Sequence, residues 1–304
     1  DWGPLSEPSK AMGDYKVANW IIDQLSKKQD KPFFLACGIY RPHLPWYVPQ
    51  KYFDLFDKED ITLPKVPDND LIDIPKAGLR FAKPQGDHAK VTKHRQWEKA
   101  VHGYLASIAF ADEQVGRVLD ALEQSPRAQD TIIVLWTDHG WHLGEKQHWR
   151  KFALWEDATR TPLMFVVPEG ISKSLPKGTR AGTRIETPIG LIDLYPTLVN
   201  LCGLGKNKAL EGQSLVPLLE DANAKWERPA LTTHGRKNHA LRTSQWRYIR
   251  YADGSEEIYD HNADPNEWIN LALKAESKPI RQKLSKWFPR VNAESAEYEQ
   301  GKKK

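Results

Sequence analysis

Residues 131–151 read TIIVLWTDHGWHLGEKQHWRK. An apolar run ends abruptly at Asp138-His139-Gly140, and the continuation carries charge, two Trp and two further His with no hydrophobic period. A continuous apolar run of this length predicts a buried strand. In open α/β sheets sites form in the crevice beyond the carboxyl ends of strands, so the tripeptide marks where the backbone leaves the sheet. Gly140 is expected to permit a sharp turn there. A carboxylate and an imidazole presented together can hold a cation, whereas a strand-terminal Asp can equally cap the next helix. His142, Glu145, His148 and Lys151 crowd a segment that makes a poor core element, which predicts that these charges face a site.

Working outward, TPLMFVVP (161–168) and PFFLACGIY (32–40) predict two more buried strands. Asp14 is expected to cap a helix through about Gln29, with Val17, Trp20, Ile21 and Leu25 along one face. A long amphipathic helix is predicted over RQWEKAVHGYLASIAFADEQVGRVLDALEQS (95–125), with Tyr104, Ile108, Val115, Val118, Leu119 and Leu122 at helical spacing. Residues 44–93 are interrupted by prolines and predict mostly loop, of the length that usually serves function. Strands alternating with helices imply α/β architecture with a largely parallel sheet covered on both faces, here over residues 1–224. From 225 to 304 the texture changes: ALTTHG, HALRTSQ and WRYIRYADGSEEIYDH alternate every second residue. Asp253-Gly254 forms a hairpin turn and a closing helix follows near SKPIRQKLSKWFP, a small α+β subdomain.

The 304 residues suffice for one large domain with a small companion. With 40% apolar and 28% charged residues and a mean hydropathy of −0.63, the composition is that of a soluble protein. No run reaches the length of a membrane span, and neither a membrane nor a nucleic-acid role is expected, because the net charge of +4 comes without a basic stripe. The GKKK end is expected to be a solvated tail. Cys37 and Cys202 exclude a disulfide framework, leave the redox compartment open, and sit in apolar runs where small buried hydrophobes are expected. The opening DWGPLSEPSK has no initiator Met and no leader pattern, as in a mature product, a trimmed chain or the later part of something longer.

A second polar cluster, Arg41-Pro42-His43-Leu44-Pro45-Trp46, follows PFFLACGIY. Prolines on either side of His43 restrict the backbone, which either aims one imidazole or merely stiffens a loop. Lysine and histidine near a cation suit an enzyme that stabilises charge on a transferring phosphoryl or sulfuryl group.

TDHGWHLGEKQHWRKFALWEDATRTPLMFVVP resembles the metal and lysine segment of the formylglycine-dependent sulfatases, in the alkaline phosphatase-like superfamily, and is most similar to the iduronate-2-sulfatase-like branch. GIYRPHLPW resembles that branch's histidine loop, GLIDLYPTLVNLCGL its helix into the small domain, and EEIYDHNADPNEWINLA its late hairpin. The resemblance implies the sulfatase fold and removal of sulfate from a sulfated carbohydrate, with a 2-O-sulfated uronic acid as the candidate unit. It makes Asp138 and His139 ligands of one calcium ion, Lys151 the sulfate-binding group and His43 the group that stabilises or protonates the leaving oxygen. Related enzymes use Asp-His pairs for zinc, so calcium is favoured by the branch rather than by the ligands themselves. The nucleophile motif C/S-x-P-S/A-x-R and an earlier Asp-Asp pair are missing. The chain is therefore expected to be the later three-fifths of a sulfatase, with an N-terminal segment bringing the formylglycine and the remaining metal ligands. An exported location follows from the resemblance alone.

Trp141 and His148 are expected near substrate, although Trp is as readily a core residue as a sugar platform. Arg236, Asn238 and His239 in THGRKNHALRT are expected to reach a uronate carboxylate, for which Arg has bidentate geometry. A phosphoester or phosphonate hydrolase, and a noncatalytic sulfated-sugar-binding relative, are the alternatives.

Overall fold

A computed structural model describes residues 1–28, 30–205 and 207–294; the GKKK end lies outside the described residues. In chain order come β1 (Trp2–Leu5), α1 (Gly13–Leu25), β2 (Trp46–Pro49), α2 (Gln50–Phe53), α3 (Lys76–Ala82), α4 (Asp87–Lys93) and α5 (Trp97–Glu123). Then follow β3 (Ile133–Trp136), β4 (His142–Leu143), β5 (Trp149–Arg150), α6 (Glu156–Thr159), β6 (Leu163–Val166), α7 (Leu194–Leu201) and α8 (Val216–Glu220). The last elements are β7 (Ala230–Thr233), β8 (His239–Arg242), β9 (Trp246–Arg250), β10 (Glu256–Asp260) and α9 (Lys278–Leu284). No helix among the described residues is long and apolar enough to cross a membrane. Two compact units emerge, residues 1–64 with 89–131, and residues 65–88 with 132–294.

In the first unit β1 and β2 pair in parallel, with Trp2 opposite Trp46 and Leu5 opposite Pro49. The intervening chain includes α1, as a parallel pairing requires a crossover. Helix α5 lies against this pair so closely that a Cβ on Gly103 would meet Trp2 and Trp46. Val48, Tyr52, Phe53, Ala106 and Phe110 form the core between β2, α2 and α5. The buried face of α5 runs through Ala100, Gly103, Ser107, Phe110 and Gln114, whereas Ile108 and Leu119 are exposed. Small residues on the core side let the helix approach the strands; of the stripe expected from the sequence, Leu122 is buried and Tyr104 packs edge-on to Trp46.

Asp14 is buried but does not cap α1; its carboxylate instead accepts the backbone N–H groups of Tyr40 (2.8 Å) and Arg41 (3.2 Å). Val17 and Trp20 are exposed, and Ala18, Ile21 and Leu25 make the buried face. The segment 32–40 forms no strand, and Phe34 is 83% exposed. Cys37 and Cys202 are both exposed rather than buried, because neither apolar run is covered where the cysteine sits.

In the second unit β3 pairs antiparallel with β6, Ile133 opposite Val166 and Trp136 opposite Leu163. The parallel pairing expected for these strands is thus not found; the only parallel ladder among the described residues is β1–β2. The reason is the connection: a largely irregular excursion, not a helical crossover, returns the chain from β3 to β6. One side of the pair packs Ile132, Phe165 and Val167 against Leu175, Leu201 and Val216, while Met164 and Val166 on the other side are about half exposed.

The hairpin sheet is as expected, a meander in the order β10–β9–β8–β7 with Gly254 at φ +85° in the β9–β10 turn. Its alternation is not polar against apolar, because both faces are covered. Ala240, Ile249, Tyr251 and Tyr259 pack on α3 and residues 153–158, and Leu241, Tyr248 and Ile258 pack on α9 through Leu284 and on Phe288. Each parity therefore removes apolar surface from water, at roughly 25 cal/mol per Å².

Candidate active site

The backbone leaves β3 at Thr137, and Asp138, His139 and Gly140 follow in irregular structure. No helix starts within three residues of Asp138, so capping does not account for it. Its side chain is 77% exposed, with Oδ1 at 3.7 Å from His139 Nε2. His139 Nδ1 lies 2.8 Å from the Gly140 carbonyl, which only accepts, so Nδ1 donates there and Nε2 is the nitrogen turned to Asp138. Gly140 is required for a reason other than its expected turn. Its N–H donates to Ala158 O at 2.9 Å, and a Cβ there would collide with the carbonyl oxygens of Asp157 and Arg160.

The segment from β4 to α6 carries Lys151 and is anchored on the β7–β10 sheet by charge. Arg247, only 1% exposed, pairs with Glu156 and Glu267 and donates to Leu154 O at 3.1 Å. Arg242 adds Glu156 at 3.0 Å, and His261 donates to Glu267 at 2.8 Å. The Glu267 carboxylate also accepts Glu156 N–H at 2.9 Å. Burial alone would raise the Glu156 carboxyl, but Arg247 and Arg242 hold it down to about 2. The grouping of Glu156, His261 and Glu267 has a metal-like composition, yet its oxygens are committed to guanidinium groups. Beside it Glu257 accepts Trp155 Nε1–H (2.8 Å) and the hydroxyls of Tyr251 and Tyr259 (both 2.7 Å). Lys146, buried, pairs with Asp70 at 2.6 Å.

His142, Glu145 and Asp157 form a second such grouping. His142 Nδ1 is 3.3 Å from the Glu145 carbonyl and Glu145 Oε2 accepts Leu143 N–H at 2.7 Å, so two of the three are engaged in holding the loop. Burial, reinforced by Glu145, Glu267 and Glu156, pushes the Asp157 carboxyl up to about 7. The folded state therefore holds a proton that the unfolded state releases near pH 4, and stability contributed by this group falls as pH rises from about 4 to 7. Because the side chain is half exposed, the effect is discounted to about 1 kcal/mol. Asp157→Asn is expected to raise Tm by about 2–4 °C at pH 8 and to leave it unchanged at pH 4, in thermal melts across that range. Equal shifts at both pH values would show that the carboxyl does not titrate there.

The other expected site residues divide. Lys151 is partly buried, with Nζ 5.7 Å from the Phe152 ring centre; Glu156 is held by its arginines and Glu145 by the Leu143 amide. Trp141 is buried, its ring 5.9 Å from that of His139. His148 is buried with Nδ1 3.0 Å from Ala82 O, and burial lowers its pKa. His239 is buried in β8, its nitrogens 2.8 Å from Thr233 Oγ1 and 2.8 Å from Asn292 Oδ1. These two imidazoles are core groups rather than surface contacts: each falls where its element is covered. Asn238 joins turns, donating to His234 O (3.1 Å) and accepting Ala252 N–H (2.9 Å). Arg236 is exposed on the β7–β8 connection and pairs with Glu294 at 3.1 Å.

His43 belongs to the first unit. Nδ1 lies 2.8 Å from Leu44 O and 2.9 Å from the Tyr40 hydroxyl, His43 N–H donates to Tyr40 O at 3.0 Å, and Trp46 Nε1–H donates to Pro42 O at 2.7 Å. The roles of Tyr40 and Asp14 in this loop escaped sequence reading. Only the aromatic hydroxyl three residues before His43 hinted at the first, and nothing local signalled the second.

The chain thus presents a strand-end carboxylate–imidazole pair and a charge-anchored loop carrying Lys151 on an α/β scaffold. Residues 4–204 match the sulfatase family model, and residues 144–294 match that of the N-sulphoglucosamine sulphohydrolase C-terminal region. The chain belongs to the sulfatase family. It is 43% identical over 297 residues to a sulfatase of Formosa agariphila, covering 96% of this chain and 56% of that protein. It is 34% identical over 233 residues to human iduronate 2-sulfatase, covering 66% of this chain and 42% of that one. Among solved structures, the phosphonate monoester hydrolase of Agrobacterium radiobacter superposes with a TM-score of 0.78 at 23% identity, covering 93% of this chain and 61% of that chain. The chain thus spans about half the length of the curated relatives it matches.

Proposed function

We propose that the full-length protein is a sulfuric ester hydrolase that removes sulfate from a sulfated carbohydrate, with a 2-O-sulfated uronic acid unit as substrate. The observation that carries this reading is the Asp138–His139 pair at the end of β3, in a chain of the sulfatase family. Likeness to iduronate 2-sulfatase supports the uronate, and exposed Arg236 is the group here with bidentate geometry for its carboxylate. Export belongs to the same reading and rests on family resemblance.

Asp138 and His139 fit part of a cation site. Two ligands of one calcium ion with bonds near 2.4 Å sit about 3.4 Å apart when at right angles, and these atoms are 3.7 Å apart. Two ligands fall short of the six to eight that calcium takes, so the rest would come from the N-terminal sulfatase segment, with the formylglycine. The cation would stabilise charge on sulfate oxygens, and the formylglycine would supply the attacking oxygen. Lys151 binds sulfate as a compact positive charge, and His43 delivers a proton to the leaving sugar oxygen.

The test is turnover by enzyme containing that segment on a 2-O-sulfated uronide, a glucosamine sulfate and a phosphonate monoester. Preference for the uronide is expected; preference for the phosphonate would replace this reading with the hydrolase suggested by the 0.78 superposition, and no turnover of any would leave a sugar-binding protein. Asp138→Asn is expected to lower kcat about a hundredfold and to bring bound metal below one equivalent by plasma mass spectrometry. Full metal content in that variant would remove Asp138 from the ligand set.

A further inference from the structure

The loop carrying His43 is held at three points, all within the first unit. The buried Asp14 carboxylate fixes the backbone at Tyr40 and Arg41, and the indole N–H of Trp46 fixes Pro42 O. The third point is on the imidazole itself. Tyr40 Oη lies 2.9 Å from His43 Nδ1 and donates to Leu44 O at 2.8 Å, Nδ1 lies 2.8 Å from the same carbonyl, and the two ring centres are 5.0 Å apart.

The proton inventory of this triangle has one solution that satisfies every group. The Leu44 carbonyl only accepts, and with two lone pairs it takes both the tyrosine O–H and the imidazole Nδ1–H. The phenolic oxygen faces Nδ1–H as a second acceptor. A proton is thereby kept on Nδ1 in neutral and charged imidazole alike, so the proton that exchanges is the one on Nε2. The same two contacts fix the ring's rotation about its bond to Cβ, which sets where Nε2 points.

We infer that Tyr40 is a positioning residue for His43: its hydroxyl, shared with the Leu44 carbonyl, orients the imidazole and assigns the exchangeable proton to Nε2. The inference rests on the proposed role of His43 in leaving-group protonation. In net hydrolysis the sugar O–S bond breaks with its electron pair on the sugar oxygen. That oxygen takes the Nε2 proton, water supplies the oxygen that completes sulfate, and a water proton returns to Nε2. A group that only orients the acid matters in proportion to how much the leaving oxygen needs the proton. An alcohol needs it; a nitrophenol, whose anion is stable, does not.

The experiment compares Tyr40→Phe, His43→Gln and the unaltered full-length enzyme on a sulfated uronide and on 4-nitrophenyl sulfate, with kcat and KM measured separately. Tyr40→Phe is expected to lower kcat on the uronide about tenfold, with KM unchanged, and to leave the nitrophenyl ester within about twofold. His43→Gln is expected to show the same selectivity with a larger loss, on the order of a hundredfold. Equal losses for Tyr40→Phe on both esters, or none on either, with His43→Gln selective, would overturn the Tyr40 inference alone. Lack of selectivity in His43→Gln would instead remove the leaving-group role of His43, and the Tyr40 inference with it. Far-ultraviolet circular dichroism and Tm within about 2 °C of the unaltered enzyme are expected, since the Tyr40 side chain is half exposed.

Discussion

Lys151→Met in the full-length enzyme is expected to lower kcat on a sulfated uronide by about two to three orders of magnitude, with secondary structure and Tm unchanged. A sulfate monoester carries one negative charge, and charge shifts onto its leaving and nonbridging oxygens as the S–O bond breaks. An ammonium placed to meet that charge stabilises the transition state more than the ground state, and loss of one such donor costs about 10²–10³ in kcat. Lys151 directly follows β5, on a segment whose position is set by Glu156 and Trp155. Methionine keeps the apolar stem, which lies near Phe152, and removes only the charge. Rates are compared on the uronide and on an aryl sulfate, because sulfate binding is common to both and both should fall. Near-normal turnover on both substrates would mean that Lys151 is a solvated surface cation, worth under about 1 kcal/mol in any ion pair it makes.

Glu267→Ala is expected to destabilise the protein by about 3–5 kcal/mol in urea unfolding, the cost of leaving a buried charge without its partner. Arg247 is fully enclosed, and Glu267 supplies one of its two carboxylates while also accepting from His261 and Glu156 N–H. Removing it leaves the guanidinium with Glu156 as its remaining carboxylate and takes the acceptor from His261 and from Glu156 N–H at once. Glu267→Gln keeps acceptor oxygen and volume, so a loss nearer half of that is expected. The same network predicts acid sensitivity with a definite sign. The folded pKa of Glu156 near 2 lies below its ordinary 4.5, so its contribution is complete above about pH 4.5 and is lost as pH falls through 2. A Glu267→Ala loss below about 1 kcal/mol would show that Arg247 finds water or another acceptor in place of the carboxylate.

Much of this was legible in one dimension. The apolar run before Asp138, the Asp253-Gly254 turn, the long helix over 97–123 and the proline-flanked His43 are local signals, because a period, a left-handed residue or a fixed φ is a property of neighbouring residues. Family membership was likewise readable from spaced motifs, and with it came Asp138 and His139 as candidate ligands and Lys151 as the candidate for holding sulfate. What sequence could not supply depends on which surfaces meet. Strand direction follows from where a connection returns, so β3 and β6 pair antiparallel although each run looked like a parallel-sheet strand. Whether an imidazole is a core group or an open one depends on cover, so His148 and His239 lie inside while His139 turns its Nε2 to Asp138. The partners of Asp14, 26 and 27 residues away, and of Arg247, 91 and 20 residues away, leave no trace in local pattern. Charge pairing over such separations is decided only when packing brings the groups together and removes the water that would otherwise satisfy them.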